Sequence, residues 1–242
     1  MRKLSKDSIF NGRIKLLQPK NGYRIAIDPI ILASFIRLKP NQKILDVGCG
    51  VGTISFILKM REKASQITAI DLHKEMCEIC EKNSQINSLS IETIHCRVED
   101  MQSNSILKDR LFDQIITNPP FFKKSASRLS SSKNFSNFET TDLSNWISHC
   151  IRRLKNNGIF SIIHCPARLD DIVYILHSAG SIKVIPIFSK IKDTAKRVVV
   201  KFKKGSKSAT EILPGLVIHE KDGNYSDKFQ KILAGNFDDF YG

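Results

Sequence analysis

The chain has 242 residues, 26% of them charged, and a formal net charge of +14. That length suits one α/β domain with a sizeable core. The basic excess points to a polyanionic partner such as nucleic acid, or to a lysine- and isoleucine-rich genome. No run of about 18 apolar residues exists, so no membrane span is read. Met1 to Arg13 carries charges and no apolar signal-peptide stretch. Cysteines stand at 49, 77, 80, 96, 150 and 165. Cys77 and Cys80 have CxxC spacing but no second pair, so neither zinc nor redox work is expected, and no metal is assigned. Free thiols fit a reducing cytoplasm.

Residues 1–40 read as an approach segment, 41–204 as the core and 205–242 as a tail, all within one domain. Ile14 to Leu17 predicts a short strand and Pro19 to Gly22 a turn. Asp28 is the expected N-cap of a helix with Pro29 at its first position. Ile31, Leu32, Phe35 and Ile36 supply its apolar face, and it ends before Pro40.

Lys43 to Val47 predicts a buried strand running into Gly48-Cys49-Gly50-Val51-Gly52, with Thr53 capping the next helix. Strand, glycine turn and helix bring backbone close to a nucleotide-like ligand, because glycine permits positive φ and has no Cβ. Such a triplet alone has many uses. Gln66 to Ile70 predicts a second strand ending in Asp71, where an acid can accept both ribose hydroxyls. The pattern is Asp46-x-Gly48-x-Gly50-x-Gly52 rather than GxGxxG. An acid inside the strand tip sits badly beside a pyrophosphate and suits an ammonium. That favours S-adenosylmethionine over a nicotinamide dinucleotide.

Lys74 to Leu89 predicts a helix with Met76, Ile79 and Cys80 inward, and Ile91 to Cys96 a third strand. Glu99 and Asp100 follow it, either meeting an adenine amine or standing as solvated loop acids. Phe112 to Thr117 predicts a fourth strand, stopped by Asn118-Pro119-Pro120-Phe121. Proline cannot continue a ladder and biases its predecessor toward extended backbone, so Asn118 is held at a strand end. A planar amine could be gripped there. The Asn118 carboxamide oxygen and the Pro119 carbonyl would accept its two N–H bonds, and Phe121 would stack on its ring. The bland alternative is a proline-stiffened turn.

Ser125 to Thr140 reads as a lid loop or a surface insertion. Asp142 is expected to cap a helix through Trp146, Cys150 and Leu154. Ile159 to His164, Ile182 to Phe188 and Val198 to Phe202 complete seven strands, the last antiparallel, with a helix from Ala167 to Ser178. The tail, from Leu216, predicts a strand, a turn at Asp222-Gly223 and a closing helix. Lysines and arginines crowd 183–207, where Asp193 is the only acid, and Lys123, Lys124, Arg128 and Lys133 follow the proline motif.

Taken together, DVGCGVG, Asp71 and NPPF at successive strand ends resemble the class I S-adenosylmethionine-dependent methyltransferases. The likeness is to the amino-methylating branch marked by (N/D)PP(Y/F/W), and it spans roughly residues 23–204. The wider chain looks like the bacterial tRNA (adenine-N6)-methyltransferases. Gly22 to Asp28, Arg197 to Val200 with Lys203 to Ser206, and Leu213 to His219 carry that likeness. The resemblance implies a Rossmann-like sheet with helices on both faces and S-adenosylmethionine as cofactor. Asp46, Gly48, Gly50 and Gly52 would hold its methionine end, Asp71 the ribose and Glu99 or Asp100 the adenine, with Leu72 and Asn118 also among the cofactor-binding residues. Asn118, Pro119, Pro120 and Phe121 would carry the chemistry. Lys123, Lys124, Arg128, Lys201, Lys203 and Lys204 would touch tRNA, with adenine 37 of valine tRNA as target. Rival readings are a guanine amine of ribosomal RNA, a protein glutamine amide, a non-catalytic RNA-binding protein or a nicotinamide enzyme. Monomer and homodimer both stay open.

Overall fold

Core strands that are apolar on both faces must be covered on both faces, which is the condition for a parallel sheet between helical layers. The computed structural model describes residues 3–20, 26–120 and 143–237. Its elements run β1 (Leu4–Ile9), β2 (Ile14–Pro19), α1 (Ile27–Ser34), β3 (Lys43–Val47), α2 (Thr53–Arg61), β4 (Gln66–Asp71) and α3 (Lys74–Asn87). Then follow β5 (Glu92–His95), β6 (Phe112–Thr117), α4 (Leu143–Arg152), β7 (Leu154–His164), α5 (Leu169–Leu176), β8 (Gly180–Lys190) and β9 (Ala195–Lys204). Two short strands, β10 (Glu211–Ile212) and β11 (Leu216–His219), and α6 (Asp227–Leu233) close the chain.

The main sheet has the order β10-β8-β9-β7-β6-β3-β4-β5, with β11 also paired to β8. β3, β4, β5, β6 and β7 are parallel. β9 runs antiparallel to both β7 and β8, as expected of the seventh strand. The count is nine rather than seven, because β10 and β11 of the tail add to the far side of β8. The excess has a plain cause: once the β8–β9 hairpin forms, β8 exposes an open edge, and the tail covers it.

Alternation along the strands sorts the core into two layers. Ile44, Ile67, Ile116, Ile163 and Val199 pack with α1, α2 and α6, whereas Leu45, Ile70, Ile115, Ile162 and Val200 pack with α4 and α5. The N-terminal residues form an antiparallel hairpin whose first strand, β1, the sequence pattern did not reveal. Asn83 of α3 ties that hairpin down: its carboxamide bonds both backbone groups of Leu17 and the Val51 carbonyl.

Several local expectations change. Asp28 lies inside α1 rather than capping it, and its buried carboxylate accepts from Arg197 Nε at 2.8 Å. Gly52, not Thr53, is the N-cap of α2. Cys77 replaces Met76 on the buried face of α3. Helix α4 stops at Arg152, and Leu154 already belongs to β7. Phe121, Lys123, Lys124, Arg128, the 125–140 segment, Asp142 and residues 21–25 lie outside the described residues.

Candidate active site

Open α/β sheets bind ligands beyond the carboxyl ends of their strands, where the strand order reverses direction. Here that point lies between β3, which leads outward to β4 and β5, and β6, which leads to β7. Val47 pairs directly with Thr117 across it. The glycine turn and the asparagine–proline strand end are therefore neighbours at one crevice.

The turn is held open by backbone geometry only glycine adopts easily. Gly48, Gly50 and Gly52 have φ of +73°, +54° and +90°. At Gly52 a Cβ would also fall 2.6 Å from Cys80 Sγ and from the Phe56 ring. Gly50 has open space where a Cβ would stand, so its backbone faces the crevice. The amides of Gly48 and Cys49 both donate to the Ile70 carbonyl at 2.9 Å, which fastens the turn to the end of β4.

Two acids sit under and beside this turn. Asp71 Oδ2 accepts from the Gly50 amide and Oδ1 from the His73 amide, both at 2.8 Å. Burial raises its pKa above the ordinary carboxylate value, partly offset by those two amides. A carboxylate has about four acceptor positions, so Asp71 retains capacity for hydroxyl donors. Asp46 is fully buried. Its Oδ2 takes the Ser55 hydroxyl at 2.7 Å and the Ser55 amide at 3.2 Å, while Oδ1 has no hydrogen-bond partner. Burial pushes its pKa to about 7 against the Ser55 bonds, and the nearby Asp71 adds to the rise. The ionised acid would gain from a cation above it, which fits the ammonium and sulfonium of S-adenosylmethionine. Because Asp46 lies beneath the turn, that attraction would act across the turn or through a bridging water.

Asn118 is half-buried and makes no hydrogen bond to a described residue, so its carboxamide is available. Pro119 is buried and Pro120 half-buried behind it. The residue that joins the two halves of the crevice is one whose role the sequence did not expose. Trp146 Nε1 donates to Thr117 Oγ1 at 3.1 Å, and Thr117 Oγ1 donates to the Val47 carbonyl at 2.8 Å. A Cβ on Gly48 would stand 3.3 Å from the same indole. Trp146 thus lies over the start of the glycine turn and locks it to the asparagine strand end. The signal available was a lone tryptophan, named in the sequence only as a position on the helix that follows the motif.

Beyond β5, Glu99 and Asp100 separate. Asp100 is exposed, whereas Glu99 is half-buried with Oε1 unpartnered and Oε2 3.6 Å from Arg97 Nε. The Leu72 carbonyl is bonded to His95 Nε2 at 2.9 Å, fixing the backbone just after Asp71. Lys201, Lys203 and Lys204 are not brought to the crevice. They pair with or follow Ser161 and Ile159, below the level of Thr117. Lys201 Nζ donates to the Phe35 carbonyl, and burial, then Lys183 and Arg37, lower its pKa to about 8. Lys204 Nζ donates to the Ile151 carbonyl in the last turn of α4 and to the Leu154 carbonyl at the start of β7.

A cavity of about 570 Å³ lies at the other end of the sheet, lined by Lys43, Lys59, Thr68, Glu92 and Arg110 among others. It sits under the amino ends of the parallel strands, and the acid in its lining is already matched: Arg110 Nη1 is 2.5 Å from Glu92 Oε2. Among the described residues no cluster of three or more His, Cys, Asp or Glu side chains could hold a metal ion. No helix among them is long and apolar enough to cross a membrane.

The tRNA1(Val) (adenine(37)-N6)-methyltransferase of Haemophilus influenzae is 26% identical over 219 residues, covering 90% of this chain and 91% of that one. Its counterpart in Shewanella baltica is 25% identical over 91% of this chain and 92% of its own. Among solved structures, a predicted O-methyltransferase from Agrobacterium tumefaciens superposes with a TM-score of 0.71 at 21% identity, covering 86% of this chain and 96% of its own. A Thermus thermophilus 16S rRNA N2 G1207 methyltransferase, solved with AdoMet and guanosine, gives 0.58 at 16% identity over 84% and 50%. The model of the methyltransferase small domain matches residues 27–164. Those residues contain both the acid-and-glycine turn and the Asn-Pro-Pro strand end, and the chain belongs to the methyltransferase small domain family.

Proposed function

We propose that the protein methylates N6 of an adenine in tRNA, at adenine 37 of valine tRNA, using S-adenosylmethionine. The observation that supports this reading is the register of Val47 with Thr117, which sets the glycine turn beside the Asn118-Pro119-Pro120 strand end. The names of the relatives at 25–26% identity support the substrate. Asp71 takes the ribose hydroxyls, Glu99 rather than exposed Asp100 meets the cofactor adenine, and the Gly48–Gly52 backbone faces the methionine end.

The bound cofactor supplies an electrophilic methyl on a sulfonium. An aromatic amine is a weak nucleophile because its lone pair is delocalised into the ring. Asn118 and the Pro119 carbonyl accept its two N–H bonds, which favours a pyramidal nitrogen and aims the lone pair at the methyl group. Transfer would form the N–C bond as the S–C bond breaks, leaving the sulfonium as a neutral thioether, and the surplus amine proton would pass to water. No protein side chain forms a covalent bond, so catalysis comes from placement, with effective molarities on the order of 10⁵ M or more in favourable cases. Such a reaction belongs in the cytoplasm, where tRNA is handled.

The test is mass spectrometry of nucleosides from unmodified tRNA incubated with protein and cofactor. N6-methyladenosine is the expected product. N2-methylguanosine, or methylated glutamine in a protein acceptor, would move the assignment to another amine.

A further inference from the structure

Pairing across the sheet identifies which lysines stand beside the crevice. Thr117 pairs with Ile162, Ile162 with Val200 and Val200 with Val184, so these residues share one level. Strands β8 and β9 continue past that level, still pairing at Phe188 with Ala195. From Val184 to Lys190, at about 3.3 Å per residue, the hairpin rises roughly 20 Å in the direction Asn118 faces. Two strand spacings of about 4.8 Å separate β9 from β6.

Lys190, Lys192 and Lys196 are exposed on this tip, and none forms an ion pair among the described residues. Asp193, the acid of the tip, is directed at backbone: its Oδ2 accepts the Lys190 amide at 3.2 Å, and its own amide donates to the Lys190 carbonyl at 3.1 Å. Lys192 adopts φ +71° to make the turn. The nearby acid Asp222 is likewise bonded within its own turn, to the amide and side chain of Asn224. The acids therefore shape the arm; the Asn224 bonds and then the Lys190 charge hold the Asp222 pKa down, and the lysine residues themselves stay exposed.

We propose that the β8–β9 tip is an RNA-binding arm that grips backbone phosphates flanking the target base. This rests on the RNA reading above and assigns the contact to Lys190, Lys192 and Lys196. Seating an unpaired base at Asn118 leaves its flanking phosphates at the mouth of the crevice, beside the arm. Phosphate contacts position a nucleic acid without reading its sequence, and flexible lysine heads on a tight turn suit that role.

The experiment measures affinity for an RNA stem–loop with an unpaired adenine across a range of salt. It compares the intact protein, the Lys190→Ala/Lys192→Ala/Lys196→Ala variant, and a charge-matched control, Lys39→Ala/Lys63→Ala/Lys108→Ala, at the other end of the sheet. Circular dichroism melting confirms that each variant is folded. The arm variant is expected to lose about 2 from the log–log salt slope, at roughly 0.7 per neutralised phosphate, with S-adenosylmethionine affinity unchanged. The control is expected to keep the original slope. RNA binding with equal slopes in all three proteins would overturn the arm while leaving the RNA reading intact. An intact protein that neither binds nor methylates RNA would overturn both.

Discussion

The two ends of the sheet treat their acids in opposite ways. At the amino end, burial works to raise Glu92 and Asp113. Their cationic and hydrogen-bonding partners outweigh it, with Arg110 and Thr68 on Glu92 and Lys155 on Asp113, and both pKa values fall below the ordinary carboxylate range. At the carboxyl end burial outweighs every stabilising partner and raises both acids: Asp46 has only the Ser55 bonds, and Asp71 the His73 and Gly50 amides with a smaller pull from the His73 and His95 side chains. A folded chain tolerates uncompensated acids where a ligand supplies the missing charge. Cavity volume alone would have selected the amino end. Unmatched charge selects the carboxyl end.

The largest effect that can break this contrast lies on the substrate half of the crevice. Asn118→Ala is expected to slow methyl transfer by about 10²–10³-fold, the usual consequence of removing one preorganised polar group from a reacting centre. Single-turnover rates with saturating RNA and cofactor measure it. Rates equal to those of the intact protein would make Asn118 a structural residue.

A smaller effect concerns Asp46. Its folded pKa, about 7, lies above the unfolded value of 3.8, so the proton favours the folded, ligand-free state. That contribution is fully present below the unfolded value and is lost as pH rises toward about 7. Cofactor affinity should move the other way, rising with pH through about 7 by at most about tenfold per unit. Asp46→Asn should flatten both profiles, which calorimetry and thermal melting across that range would record. A pH-independent affinity in the intact protein would remove Asp46 from cofactor binding.

The smallest effect belongs to the clamp between the two halves. Trp146→Phe keeps a ring over Gly48 but loses the bond to Thr117, and should lower stability by about 0.5–1.5 kcal/mol. If Trp146 sets the register of turn and strand end, the single-turnover rate falls while cofactor affinity stays. A loss of stability with an unchanged rate would leave the indole as core packing.

Much of this was legible in the residue order because it is local. Proline after Asn118 stops a strand whatever surrounds it, and Asp46-x-Gly48-x-Gly50-x-Gly52 specifies a turn by backbone sterics alone. All seven core strands follow from short apolar runs between turns. What stayed hidden depends on partners far away in sequence. Asp28 reads as a cap until Arg197 is brought beside it. Lys201 and Lys204 read as phosphate ligands until their ammonium groups are found on carbonyls. Strand β10 answers an open edge on β8, and β1 is too polar to announce itself without β2. Trp146 belongs to the same class, since its meaning comes from Thr117 and Gly48.

Calorimetric titration of S-adenosylmethionine decides whether the cofactor is held at the carboxyl end, by acids that burial keeps raised. The intact protein, Asp71→Ala and Arg110→Ala are compared. The account expects Asp71→Ala to weaken binding by about 1–3 kcal/mol through loss of a charged acceptor, and Arg110→Ala to bind as the intact protein does. Unchanged affinity in Asp71→Ala together with weakened binding in Arg110→Ala would place the cofactor in the opposite cavity and contradict the account.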